Sequence, residues 1–269
     1  MKQRVITAII ALLFFVPVVW YGGPVFQLVV ALMGVVGVYE LFKMKGLSML
    51  SVPGVLSALA VVSLILPRQN WFEFLPYNIN NFHLFIVMMM LLLCVTVFSK
   101  NEFSFEDVAF PILTSLYVGV GFQHFVLARG NDSQFLFIIY GLAVVWSTDI
   151  GAYMVGRKLG KNKLAPHISP NKTIEGSIGG IICAIVAALL VITLNPSATT
   201  LTYSWPVMIP ITIVLSIAGQ MGDLVESAFK RFYGVKDSGK LLPGHGGILD
   251  RFDSLLFVFP LMYILGLFS

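Results

Sequence analysis

Residues 82–98 read FHLFIVMMMLLLCVTVF, a run of seventeen residues without an aspartate, glutamate, lysine or arginine. An α-helix needs roughly 20 residues to cross the hydrocarbon core of a bilayer, so this run is close to the required length. Only helices and closed barrels can cross that core, because an unpaired backbone amide costs several kcal/mol in hydrocarbon. Residues 82–98 therefore predict a membrane-spanning helix.

Eight further apolar runs of similar size are spaced along the chain. In total, 58% of the residues are hydrophobic and 11% are charged, whereas soluble domains carry about 25% charged residues. We therefore predict an all-α, polytopic integral membrane protein, a single membrane domain of residues 1–269 with about nine transmembrane helices. The predicted spans lie near residues 5–21, 24–42, 52–66, 82–98, 107–128, 134–155, 174–194, 205–228 and 250–268.

The predicted helices fall into two groups. We expect the helices of residues 1–130 to provide packing and a dimer contact, and those of residues 134–269 to carry the catalytic groups. Two loops of the second group, 156–173 and 229–249, are long, basic and rich in glycine. Long loops in compact proteins are commonly functional. Chemistry is therefore expected in the second half of the chain.

The distribution of lysine and arginine predicts the orientation. Basic residues near helix ends are retained on the cytoplasmic side of a membrane. With the N-terminus in the cytoplasm, all of the 17 lysines and arginines except Arg68 and Arg129 lie inside. The two long loops then face the cytoplasm, as does the expected active site, and the predicted location is the cytoplasmic membrane of a cell.

The net charge of +4 does not indicate a nucleic-acid partner. Such a partner requires a basic face on a soluble domain, and no segment of this chain is polar enough to form one. The basic residues are explained by membrane topology instead.

The densest polar stretch, residues 222–254, reads GDLVESAFKRFYGVKDSGKLLPGHGGILDRFDS. Asp223, Glu226, Ser227 and Lys230 are three or four residues apart, so on a helix they share one face. Carboxylates inside a membrane cost about 2.5 kcal/mol or more and normally face a partner, a metal or water. Oxygen ligands without cysteine suit a hard cation that also binds phosphates, so the stretch predicts Mg²⁺, with a second cation left open.

A loop rich in glycine and lysine separates the acids. It runs from Lys236 to Gly247, and its glycines allow backbone amides to approach an anion closely while its lysines supply positive charge. A polyphosphate fits such a loop. The spacing is not that of a Walker loop, and no strand precedes it, so a soluble nucleotide-binding fold is not indicated.

The stretch resembles the signature of the phosphatidate cytidylyltransferase (CDP-diglyceride synthase) family. Two upstream segments, residues 149–157 and 169–176, are also similar to that family, whereas the first five predicted helices resemble it in hydropathy alone. The match in motifs covers about residues 146–254. The matching signature positions are Ser227, Lys230, Arg231, Lys236, Asp237, Ser238, Pro243, His245, Gly246, Gly247, Asp250, Arg251 and Asp253.

The resemblance implies a homodimeric membrane enzyme that joins the CMP part of CTP to phosphatidate and depends on a divalent metal. Asp223 and Asp250 correspond to the metal ligands, and we expect Asp253 and Glu226 to support them. The expected catalytic residues are Lys230, Arg231, Lys236, Asp237, His245 and Arg251. The expected substrate-binding residues are Asp149, Ser169, Lys172, Thr173, Glu175, Ser227, Ser238 and Lys240.

Two of these acids could have purely structural roles, and two further functions stay open for the chain. Asp250 could simply cap the last helix, since acids favour helix N-termini, and Asp149 could be a buried helix residue bonded to Ser147 or Tyr153.

An ion-coupled transporter also carries intramembrane acids, but we find no paired broken segments in the two halves. A CTP-dependent polyprenol or phytol kinase could have a similar metal site. It differs in transferring the γ-phosphate.

Overall fold

A computed structural model describes residues 2–130, 134–195 and 203–268, so the ends of the predicted domain, residues 1 and 269, lie outside it. The described chain is almost entirely helical. The helices are α1 (Lys2–Tyr21), α2 (Gly23–Lys45), α3 (Val52–Ile65), α4 (Arg68–Trp71), α5 (Asn81–Phe98), α6 (Phe105–Arg129), α7 (Phe135–Leu159), α8 (Ile174–Thr193), α9 (Trp205–Phe232), α10 (Leu249–Phe252) and α11 (Leu255–Ile264). Two short strands, β1 (Lys163–Ala165) and β2 (Ser169–Thr173), lie between α7 and α8.

Six of these helices, α2 and α5 to α9, are long and apolar enough to cross a membrane. The prediction of a helical, multi-pass membrane protein is confirmed at this level. Three of the predicted spans correspond to shorter apolar helices in the described residues, Ile9–Tyr21, Val52–Ile65 and Leu255–Ile264. In α5 the buried residues are Phe85 and Leu92, so most of its apolar side chains lie on the surface, as expected of a helix in lipid.

The last helix begins later than the sequence predicted. The apolar run was placed at residues 250–268, but α11 starts at Leu255, after the four-residue helix α10 and a turn. Asp250 and Asp253 therefore precede the apolar helix. The reason is that three charged residues in four, 250–253, cannot be buried in hydrocarbon cheaply.

The described helices form two compact units. Among the described residues, one unit comprises those of 2–126 and 235–251, and the other those of 127–130, 134–195, 203–234 and 252–268. In the first unit α2 packs against α6 through aromatic pairs, with Phe26 and Phe125 centred 5.3 Å apart and Phe42 and Phe110 5.6 Å apart. A second cluster joins α3 to α5 through Ala60, Leu64 and Phe85.

In the second unit α7 packs against both α8 and α9. A Cβ at Gly180 of α8 would lie 2.7 Å from the Thr148 carbonyl oxygen of α7, so this close approach requires glycine. Buried hydroxyl groups join α7 to α9: Tyr140 and Thr212 are 2.8 Å apart, as are Thr148 and Ser216. These contacts hold α7, α8 and α9 against one another, and these helices carry the polar residues of the candidate site.

The antiparallel β1–β2 hairpin was not predicted, since the sequence indicated an all-α chain with a loop at 156–173. Lys163 pairs with Thr173 and Ala165 with Ser169, with an irregularity in between. The strands read KLA and SPNKT, which lack the hydrophobic alternation that identifies a strand. The hairpin leads directly into α8, where Thr173 accepts a hydrogen bond from the Gly176 amide and caps the helix.

Candidate active site

The polar face predicted on α9 is present at the end of that helix. Lys230 Nζ donates to Glu226 Oε2 at 2.6 Å, and Ser227 Oγ donates to Asp223 Oδ1 at 3.3 Å. Each pair is four residues apart, one turn of helix. The Glu226 side chain is 1% exposed, so the Lys230 ammonium compensates a carboxylate that is removed from water.

The β-hairpin contributes a second positive charge to this face. Lys172 of β2 forms an ion pair with Asp223 of α9, and Arg231 Nε donates to the Ile168 carbonyl oxygen at 3.1 Å. Side chains of Lys172 and Asp223 are 27% and 32% exposed. Because this pair is in contact with solvent, its partners can be exchanged for ligands at modest cost.

Asp253 adds a third carboxyl group to the same unit. It lies in the turn before α11, outside the apolar helices. Burial, followed by the negative charge of Asp223, raises the pKa of Asp253 to about 6. A Cβ at Gly222 would lie 2.5 Å from the Asp253 carbonyl oxygen, so glycine allows α9 to approach this turn. The acids are therefore held close enough to repel one another.

A cavity of about 480 Å³ opens beside Asp223. Both acidic and basic side chains face it, and they come from α7, β2 and α9. The polar residues that line it are Asp149, Tyr153, Arg157, Asn171, Lys172, Thr173, Ser177, Gln220 and Asp223. A cavity of this size and mixed charge can accept a phosphorylated molecule together with a cation.

The loop before α10, in the other unit, is organised around Asp250. Asp250 Oδ2 accepts hydrogen bonds from the Ser238 amide, the Ser238 hydroxyl and the Gly247 amide, each at 2.8 Å. A Cβ at Gly246 or Gly247 would collide with Asp250 or with the side chains beside it. The glycines of the loop thus allow its backbone to close around this carboxylate, which also stands in the first turn of α10.

The sequence analysis missed a buried carboxylate that meets this loop. Glu40 of α2 is 1% exposed and accepts hydrogen bonds from the Ile248 amide at 2.8 Å and the Leu249 amide at 3.0 Å. The Ser238 hydroxyl, whose single proton can be donated to Glu40 or to Asp250, lies 2.9 Å from Glu40 Oε2. One signal could have found it, because an ionisable residue inside an apolar span is a functional candidate by itself.

The structure places the other predicted site residues as follows. Glu175 accepts hydrogen bonds from the Lys161 and Asn162 amides at the base of the hairpin. His245 is partly buried, and its Nδ1 has no hydrogen-bond partner among the described residues. Asp149 is exposed on α7 and Ser169 is half-buried at the start of β2. Exposed side chains at the remaining positions are Arg231, Lys236, Asp237, Lys240 and Arg251.

The structure thus brings the predicted residues together as two clusters, one in each unit. The unit of α7–α9 holds Lys172, Asp223, Glu226, Lys230 and Asp253. The other unit holds Ser238 and Asp250. A cation shared by Asp223 and Asp250 stays a prediction.

The donors of the first cluster fit Mg²⁺ in their chemistry. They are carboxylate oxygens, and a divalent cation would offset the burial and the repulsion by Asp223 that together raise the pKa of Asp253. In residues 2–130, 134–195 and 203–268, no three histidine, cysteine or acidic side chains are grouped to hold a metal by themselves. Mg²⁺ does not need such a group, since it commonly binds one or two carboxylates together with water and substrate phosphates.

Comparison with known proteins assigns the family. The sequence profile of the cytidylyltransferase family matches residues 2–268. The chain belongs to the cytidylyltransferase family. It is 47% identical over 269 residues to the phosphatidate cytidylyltransferase of Staphylococcus haemolyticus (strain JCSC1435), with 98% of both chains covered. It is 46% identical to the protein of the same name from Bacillus subtilis (strain 168), with 100% of this chain and 99% of that one covered.

A third relative, the phosphatidate cytidylyltransferase of Staphylococcus aureus (strain COL), is 44% identical with 98% of each chain covered. All three relatives align over almost the whole chain, including the apolar helices before α7. The similarity therefore extends well beyond the motifs of residues 146–254, which carried the resemblance in the sequence. This nucleotidyltransferase family membership is consistent with a cavity that is lined by both acidic and basic side chains.

Proposed function

We propose that the protein catalyses the reaction of CTP with phosphatidate, which gives CDP-diacylglycerol and pyrophosphate in phospholipid biosynthesis. The observation that carries this proposal is the match of a cytidylyltransferase profile to residues 2–268. Relatives that bear the name phosphatidate cytidylyltransferase are similar over 98% or more of this chain. The acidic and basic cavity in the unit of α7–α9 supports it, since both substrates carry phosphate.

In the reaction, a phosphate oxygen of phosphatidate forms a bond to the α-phosphorus of CTP, and the bond from that phosphorus to the bridging oxygen of pyrophosphate breaks. The nucleophile is already an anion at neutral pH, so a strong general base is not required. The main barrier is the repulsion between two polyanions. Positioning and electrostatic stabilisation therefore provide most of the catalysis.

Asp223 and Asp250 would be the ligands of Mg²⁺, and Asp253 and Glu226 would be supporting acids. When bound, the ion neutralises triphosphate charge and fixes the orientation of the phosphates. Asp223 is paired with Lys172 in the structure. If Asp223 held the cation, the Lys172 ammonium would be available to a substrate phosphate.

The basic residues then neutralise the remaining charge. Lys230 and Arg231 lie at the end of α9, and Lys236 and Lys240 follow in a loop rich in glycine. Arg231, Lys236 and Lys240 are exposed, whereas Lys230 is paired with Glu226. We assign all four to the triphosphate and the leaving pyrophosphate. His245 donates a hydrogen bond or a proton to pyrophosphate. Ser169 and Lys172 bind the phosphate of the lipid or of the nucleotide.

The site needs access from both water and lipid, because CTP is soluble while each buried methylene holds an acyl chain in the bilayer by roughly 0.8 kcal/mol. We therefore propose nine spans with the N-terminus in the cytoplasm and the active site at the inner surface of the cell membrane. The six long apolar helices and the basic loops support this arrangement. We also propose that the enzyme is a homodimer.

The test is product analysis with purified protein, phosphatidate, Mg²⁺ and CTP labelled at the α- or the γ-phosphate. Cytidylyl transfer places the α label in the lipid and the γ label in pyrophosphate. Appearance of the γ label in the lipid would instead identify a CTP-dependent lipid kinase. A protein that transfers neither label, but moves an ion or solute across proteoliposomes, would be a transporter.

A further inference from the structure

We propose that Glu40, which lies outside the signature residues, is a positioning residue that fixes the loop of residues 235–251 and with it the Asp250 carboxylate. This role rests on the function proposed above. Glu40 belongs to α2 and reaches Ser238 across 198 positions of sequence. Its carboxylate is buried and joins the two ends of the loop: Ser238 near the start, and Ile248 with Leu249 at the start of α10.

The geometry requires a carboxylate at this position. Oε1 accepts from the Ile248 amide at 2.8 Å, and Oε2 accepts from the Leu249 amide at 3.0 Å. Both oxygens therefore face backbone N–H donors. A glutamine would place its own NH₂ group against one of these amides whichever way it is turned, and a buried donor would lose its acceptor.

Ser238 connects Glu40 to Asp250. Its hydroxyl oxygen lies 2.9 Å from Glu40 Oε2 and 2.8 Å from Asp250 Oδ2. Its backbone amide donates to the same Asp250 oxygen at 2.8 Å. Displacement of Ser238 consequently removes from Asp250 both a backbone donor and the hydroxyl that it shares with Glu40, so the position of Asp250 depends on Glu40 even though the two carboxylates are not bonded directly.

Packing around Glu40 is tight enough to hold it. A Cβ at Gly239 would lie 2.5 Å from Glu40 Oε1, and one at Gly247 would also collide with that carboxylate. One turn earlier on α2, a Cβ at Gly37 would lie 3.2 Å from the Leu249 side chain. The loop thus closes around Glu40 with both backbone and side chains, and this is the arrangement expected of a group that preorganises a site.

The experiment compares wild type with Glu40→Gln, Ser238→Ala and the double variant in detergent, with Glu102→Gln as the matched control. Glu102 is exposed, and its substitution is chemically identical to that at Glu40. We expect Glu40→Gln to lower kcat about 10- to 100-fold, because a small misplacement of a reacting group has effects of that size. We expect the KM for phosphatidate to change less than about threefold.

Hydrogen–deuterium exchange provides a readout that is independent of activity. In Glu40→Gln we expect exchange of the Ile248 and Leu249 amides to accelerate at least about tenfold, while amides of α3 and α5 keep their wild-type rates. Ser238→Ala should lower kcat much less in the Glu40→Gln background than in wild type, because both substitutions break the same connection to Asp250. Glu102→Gln should leave all of these values unchanged.

Wild-type kcat and wild-type exchange in Glu40→Gln would overturn the proposal, as would faster exchange throughout the protein, which indicates a general loss of stability. If Glu40→Gln does not fold, Glu40→Asp keeps the charge and shortens the reach by about 1.5 Å. The same local exchange and kcat changes are then expected, and their absence counts against the proposal. A wild-type protein without cytidylyl transfer would contradict the proposed function, and exchange alone would then decide the role of Glu40.

Discussion

The two acidic clusters are neutralised in different ways. In the unit of α7–α9, Asp223 and Glu226 are bound by the ammonium groups of Lys172 and Lys230. In the other unit, Asp250 accepts hydrogen bonds from backbone amides and a hydroxyl. A lysine side chain can leave a carboxylate for a substrate phosphate, whereas a backbone amide cannot. The partly exposed Lys172–Asp223 pair of the first cluster is therefore suited to exchange ligands during turnover, and the second cluster is suited to stay fixed.

The largest effect is expected from Asp250→Asn, which tests the fixed cluster. Removal of the charge should lower CTP incorporation at least about 100-fold, the size seen when a site loses a preorganised electrostatic group. Expression and the apparent size on gel filtration should not change, because an asparagine oxygen can still accept from the Gly247 amide. Glu102→Gln provides a control for an unrelated loss of negative charge. Full turnover by Asp250→Asn would refute the assignment.

A smaller effect is expected from Lys172→Met, which tests the exchangeable cluster. The variant loses the cation that pairs with Asp223 and is assigned to a substrate phosphate, so kcat/KM should fall about 10- to 100-fold, or 1.4 to 2.7 kcal/mol. Lys163→Met is the matched control, since Lys163 lies on the paired strand of the same hairpin and is exposed. Equal kcat/KM values for the two variants would show that Lys172 adds only positive charge to the hairpin and makes no specific contact with a substrate phosphate.

Gly222→Ala tests whether close packing of α9 against the Asp253 turn matters. The added Cβ would lie 2.5 Å from a backbone oxygen, and overpacking of this kind costs about 1–3 kcal/mol. At Gly219, one turn earlier, the nearest atom to a Cβ is 3.4 Å away. Thermal unfolding in detergent should thus show a lower Tm for Gly222→Ala, with Gly219→Ala equal to wild type or slightly more stable. The reverse order would contradict the packing described for Asp253.

The smallest effect is expected from Thr173→Ala at the start of α8. Thr173 accepts from the Gly176 amide at 3.1 Å, and loss of such a cap costs about 1 kcal/mol. Ser204, which precedes α9, makes no side-chain capping bond, so Ser204→Ala should leave the Tm unchanged. If Thr173 also binds substrate, as the sequence predicted, the KM for CTP or phosphatidate will rise as well. An unchanged Tm would remove the capping role.

Hydropathy located the long helices well, because the thickness of a bilayer determines how long an apolar run must be. The shared face of Asp223, Glu226 and Lys230 was also predictable, since it follows from helical spacing alone. The start of the last helix was wrong because the apolar run was extended over Asp250 and Asp253. Charged residues at the start of the run are costly to bury in hydrocarbon, so the apolar helix begins after them even though it is then shorter than a full span.

The hairpin and Glu40 show where sequence reasoning stopped. The hairpin strands are short and polar, so neither periodicity nor hydropathy distinguished them from a loop. Glu40 meets Ser238 through a contact between positions 198 residues apart. A single sequence contains no information on such a contact, although the presence of a glutamate in an apolar run did indicate that the residue has a partner.

The central proposal is that the Asp223 and Asp250 carboxylates are both needed for a divalent cation to bind together with CTP. Its most direct test is the binding of Mn²⁺, used in place of Mg²⁺ and followed by electron paramagnetic resonance, to purified protein in the presence of CTP. We predict that Asp223→Asn and Asp250→Asn each weaken Mn²⁺ binding at least about tenfold, while Glu102→Gln binds as the wild type does. Wild-type Mn²⁺ affinity in either aspartate variant would contradict the claim.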